Sequence, residues 1–204
     1  MTRAGDFSRL ATFAAGLGLV LAGALATGPG GWAPPEIFWN LRLPRVLLGA
    51  AVGAGLAAAG TVMQGLSGNP LADPFVLGSS SGAAVGVVAA RSLGISLASP
   101  AVFLAAGAGA FGALAATWGL ARTSDRLPIE RLLLSGVAVS TLGSALVLLG
   151  LHFAGQDAYV ILSFLVGNLS GSDRRFLAIG GGTLLFAVAA LCTFGRAMNA
   201  LALG

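Results

Sequence analysis

Between Arg45 and Asp73 the chain carries no Asp, Glu, Lys or Arg. A helix needs only about 20 consecutive apolar residues to cross the hydrocarbon of a bilayer, so a charge-free run of this length predicts a membrane span. Comparable runs recur at 10–35, 92–121, 132–153 and 176–194. With 56% hydrophobic and 9% charged residues and a mean hydropathy of +0.92, the chain has too little polar surface to enclose one soluble core. Such a composition requires lipid.

The run after Arg45 carries small residues four apart, Gly49, Gly53 and Ala57, with Gly55 and Ala59 on an adjoining stripe. Stripes of this kind let helix backbones touch. Asn69-Pro70 then breaks the helix, and Asp73-Pro74 offers a capping carboxylate followed by proline at a first helical position. This predicts a new helix from Phe75 to Ala90, short for a full crossing.

Three segments in order, RLPR at 42–45, MQGLSGNPLADP at 63–74 and LGSSSGAAVG at 77–86, together resemble the signature region of the FecCD-type permeases. These are membrane subunits of ATP-driven importers for iron-siderophore complexes, haem and cobalamin. Weaker echoes follow in RLLLSGVAVS from Arg131, FLVGNLSG from Phe164 and RAMNALALG from Arg196.

The resemblance implies an all-α polytopic transmembrane bundle of roughly ten spans in a bacterial inner membrane. Six are read here, near 10–27, 46–66, 75–90, 100–121, 132–153 and 176–194, so the chain would be the N-terminal six-span portion of one permease domain, incomplete at its C-terminus. It further implies a permease homodimer or paralogous heterodimer, ABC ATPase subunits below, and a periplasmic or lipid-anchored substrate-binding protein above. Arg42 and Arg45 would dock that binding protein. Met63, Gln64, Leu66, Asn69, Pro70, Ser79, Ser80 and Ser81 would line the pathway or its inner gate, although Met63 and Leu66 also suit plain packing.

The charge pattern orients the chain. Arg3 and Arg9 precede the first run and predict a cytoplasmic N-terminus on an uncleaved span, while ALAT at 24–27 leaves a signal-peptide reading open. Residues 29–35, with Trp32 and later Trp39, read as an outer loop with aromatics at interface depth. The segment 122–131, holding Arg122, Arg126 and Arg131, reads as cytoplasmic. Arg91, Arg174 and Arg175 then fall outside, where headgroup or solvent contact explains them, and 160–172 reads as a short external or re-entrant helix.

Several chemistries are excluded. All 11 basic residues are arginine, so the lysine of an ATP-binding P-loop is missing. No ionisable residue lies deep in a predicted span, which argues against coupling to an ion gradient. Transport would draw on ATP used by a separate subunit, with no catalytic residue, no metal site and no bound cofactor in this chain. His152 reads as interfacial or packed, and the single Cys192 as a small hydrophobe. A net charge of +4 without a basic cluster interleaved with aromatics does not point to nucleic acid. Two other readings remain: a non-transporting truncated fragment or assembly protein, and a gradient-driven carrier or channel.

Overall fold

In hydrocarbon every backbone N–H and C=O must bond within its own segment, and charge-free runs accordingly form helices. The computed structural model describes residues 3–27, 34–123, 128–168 and 174–203, and shows only helices and turns among them. The helices are α1 (Arg3–Ala26), α2 (Pro35–Ser67), α3 (Ser79–Ser92), α4 (Ala101–Ala121), α5 (Ile129–Phe153), α6 (Ala158–Leu165) and α7 (Arg174–Leu203). Among the described residues, α2, α4 and α5 are long and apolar enough to cross a bilayer, whereas the apolar stretches Ala11–Ala26 and Leu177–Leu191 are shorter. The protein is an all-α polytopic membrane protein. Its outward apolar side chains, Phe111 at 75% exposure and Leu148 at 68%, match a lipid solvent rather than water.

The chain forms two compact units, one of Met1–Gly53 with Ser172–Leu184, the other of Ala54–Gly171 with Leu185–Gly204. In the first, α2 opens with a π-helical turn at Phe38–Arg42, where Leu43 N–H reaches the Phe38 carbonyl. Pro44 follows at once. Proline has no N–H and its ring crowds the carbonyl four residues back, so a widened turn just before it lets the helix continue. The Pro44 side chain is fully buried, and Leu48 packs close to Gly180 of α7.

In the second unit α3, α4 and α5 pack on one another. Gly82 and Gly86 meet Gly109 and Ala105 of α4, running antiparallel. Helix α3 runs parallel to α5, with Ser81 against Gly143, Val88 against Gly150 and Arg91 reaching Asp157 beyond the α5 C-terminus. Helix backbones approach this closely only where a Cβ is missing. Gly94, at φ 81, ends α3 as Ile95 N–H returns to the Ala90 carbonyl at 3.0 Å.

The structure departs from the sequence reading in four places. The helix predicted from Phe75 begins instead at Ser79: Pro74–Leu77 is a 3-10 turn, and Gly78 at φ 85 separates it from α3. Trp39 belongs to α2 and not to a loop. Helix α7 continues past Arg196 to Leu203. In the stripe on α2, a Cβ at Gly53 would meet nothing within 4 Å, and Gly49 and Ala57 are exposed, so among the described residues no neighbouring helix closes on Gly53. Trp32, Arg126 and 169–173 lie outside the described residues.

Candidate functional site

Because α3 and α5 run one way and α4 the other, the loop joining α2 to α3 sits at the same end of the second unit as Ala121 and Pro128. Of the eight sequence-predicted pathway residues, Asn69 and Pro70 lie in this loop, three lie at the end of α2 and three in the first turn of α3, and short local bonds hold the loop's tip. Gln64 Nε2 donates to the Pro70 carbonyl at 2.9 Å, and Asn69 Oδ1 accepts from Leu71 N–H at 2.9 Å. Ser67 Oγ donates to the Met63 carbonyl at 2.7 Å. Gly68, at φ 60, ends α2, and Leu71 projects with 87% exposure.

The base of the loop is built differently. Asp73 Oδ1 accepts from Phe75 N–H at 2.9 Å, the cap its position predicted. Gly136 of α5 packs directly on the Val76 carbonyl, and Thr117 Oγ1 of α4 donates to the Leu77 carbonyl at 3.0 Å. The loop is thus joined to α2 at its tip and to α4 and α5 at its base.

The predicted pathway residues have different surroundings. Met63 is buried at 5% exposure, in keeping with packing, whereas Leu66 is 42% exposed. Gln64, Asn69, Pro70 and Ser80 are exposed and Ser79 half-buried. Ser81 faces α5: its Oγ donates to the Gly78 carbonyl at 3.0 Å, and a Cβ at Gly143 would lie 2.7 Å from that oxygen.

Arg42 and Arg45 belong to the first unit. Arg42 Nη1 donates to the Leu25 carbonyl at 3.0 Å, placing a cation at the C-terminus of α1, where it complements the exposed carbonyls. Beside it lies a groove of about 500 Å³ between Ala22, Leu25 and Ala26 of α1 and Phe38, Trp39 and Arg42 of α2. Arg45 is exposed.

The sequence reading left three features out. Arg91 Nη2 pairs with Asp157 Oδ2 at 2.7 Å, so this arginine has a protein partner rather than only solvent or headgroups. Glycines 136, 143 and 150 recur every seven residues along one face of α5, the first against the Val76–Leu77 turn and the other two against α3, a period a helix turns into a seam. That spacing was readable. Thr117 was not, because one threonine in an alanine-rich run gives no pattern.

The model of the FecCD transport family matches residues 10–204. The chain is 40% identical over 173 residues to the cobalamin import system permease BtuC of Halobacterium salinarum, covering 82% of this chain and 45% of that protein. It is 42% identical over 191 residues to the vitamin B12 import system permease BtuC of Escherichia coli O127:H6, covering 90% and 57%. It thus spans about half the length of the curated relatives it matches. Among solved structures, a transporter described as of metal-chelate ABC type, in an inward-facing conformation, superposes with a TM-score of 0.79 at 30% identity. The match covers 93% of this chain and 64% of that one.

Proposed function

The chain belongs to the FecCD transport family, and from that membership we propose that it forms part of the translocation pathway of an ATP-driven importer for a metal chelate of the cobalamin class. The observation that carries this reading is the likeness, over nine-tenths of the chain, to vitamin B12 import permeases. The helix interiors agree with it. No Asp, Glu, Lys or Arg lies in α4, or in α5 between Arg131 and Phe153. A carrier coupled to an ion gradient usually places such a residue in a span, which agrees with energy drawn from ATP on partner ATPase subunits.

In this reading two permease subunits face each other in the cell membrane, with the N-terminus in the cytoplasm. The chain binds no cofactor and is not itself an enzyme. A binding protein docks outside, where Arg42 and Arg45 receive its carboxylates; arginine's planar fork suits that role better than lysine. At the cytoplasmic end, the loop between α2 and α3 contributes to the inner gate, with Gln64, Asn69, Pro70 and the serines after Gly78 near the path. Transport is alternating access, in which packed helices change tilt around the cargo. Met63 contributes through packing.

The test is uptake by the assembled transporter with its binding protein, offering labelled cobalamin, ferric siderophore and haem in parallel. Cobalamin should accumulate, and excess unlabelled siderophore or haem should not compete. Accumulation of the siderophore alone would overturn the cargo assignment.

A further inference from the structure

Threonines in the helices of this protein usually return their hydroxyl to their own backbone. Thr12 donates to the Ser8 carbonyl, Thr61 to Ala57 and Thr141 to Val137, each four residues back. That is the default for a helical threonine. Thr117 departs from it: its hydroxyl leaves α4 and donates at 3.0 Å to the carbonyl of Leu77, 40 residues upstream. At 1% exposure it is also the buried polar side chain among the described residues. A buried hydroxyl aimed at another segment holds that segment, since in a low-dielectric interior neither partner has water to turn to.

What it holds is the base of the α2–α3 loop. Leu77 is the last residue of the 3-10 turn, which Gly78 N–H closes onto the Phe75 carbonyl, and the left-handed conformation of Gly78 sets the direction in which α3 departs. Gly136 supports the same turn from α5, and a Cβ at Gly78 would lie 3.0 Å from Val139 Cγ1. The tip, residues 68–72, bonds only to itself and to the last turns of α2 in the hydrogen bonds described above.

We propose that Thr117 is a positioning residue for the inner gate: its hydroxyl fixes residues 74–78 to α4, so that displacement of the loop is confined to the tip and transmitted from α2. The gate part of this statement rests on the function proposed above; the pin itself does not. A membrane-buried hydrogen bond of this kind biases an equilibrium by about three- to tenfold.

The experiment uses the assembled transporter in a Cys192→Ala background, with a spin label at Phe75→Cys in the base or Leu71→Cys in the tip. Thr117→Val keeps the shape and loses the donor. It should raise label mobility at position 75, leave position 71 unchanged, and lower the cargo moved per ATP hydrolysed about three- to tenfold. Thr117→Ser should restore both. A general loss of stability would instead loosen base and tip together. An unmoved base in the valine variant would overturn the proposal. So would a serine variant as loose as the valine one, and, if Thr117→Val fails to insert, a Thr117→Ser base more mobile than that of the wild type. A loosened base with unchanged coupling would leave the pin standing and overturn the assignment of this loop to the gate.

Discussion

Gly109 and Gly112 sit on the same helix three residues apart, and only one of them is in contact. A Cβ at Gly109 would run into the Gly82 carbonyl and come within 3.0 Å of Gly86 N, whereas a Cβ at Gly112 would meet nothing within 4 Å. Gly→Ala in a helix interior gains up to about 1 kcal/mol from propensity, and this gain is common to both variants. Gly109→Ala must in addition drive α3 away from α4. The helix cannot retreat freely, since Ser81 and Val88 already fill the notches at Gly143 and Gly150 on α5. Overpacking of this kind costs about 1–3 kcal/mol, and each lost Cα–H···O contact adds about 0.5–1. Gly109→Ala is therefore expected to destabilise the protein by about 1–3 kcal/mol net, and Gly112→Ala to leave it unchanged or slightly more stable. Reversible unfolding in mixed micelles with increasing SDS, followed by far-ultraviolet circular dichroism, measures the difference directly. Equal stabilities within about 0.5 kcal/mol would refute the claim that backbone contact between α3 and α4 holds this unit together.

Removing either side chain of the Arg91–Asp157 pair, which is partly exposed, should cost about 0.2–1 kcal/mol, and a double-mutant cycle should return a coupling of that size that shrinks in high salt. Arg45→Glu should abolish stimulation by the binding protein while basal ATP hydrolysis and insertion persist, with rescue by reversing the partner's carboxylate. Arg42→Glu should also loosen the end of α1, seen as faster amide exchange near Leu25, because it removes the bond to that carbonyl. Cysteines at Thr123 and Gln156, at opposite ends of a 25-residue helix, should label only from the cytoplasm and only from outside, respectively; labelling of both from one side would overturn the orientation.

The sequence announced the helices because charge-free runs admit little else, and Asp73-Pro74 announced its cap because both residues act on their own backbone. Long-range features were harder to read. Gly78 looked like one glycine among many, yet it delays α3 until Ser79. Gly49, Gly53 and Ala57 obey the same four-residue spacing as Ala105, Gly109 and Ala113 of α4, but only the second set meets another helix among the described residues. Periodicity identifies a face without naming what covers it. Arg42 illustrates the same limit, because the family resemblance gave it a task in common with Arg45, whereas its bond to Leu25 depends on where α1 ends. The Thr117 pin joins residues 40 apart, and no local rule links them.

The most direct test of the account is the energy source. Proteoliposomes holding the assembled transporter, with ATP clamped inside and binding protein with labelled cobalamin outside, are assayed before and after a protonophore collapses the proton gradient. The account predicts uptake that requires ATP and continues at an unchanged rate after collapse. Uptake that stops with the gradient while ATP stays constant would contradict it and make the protein a secondary carrier.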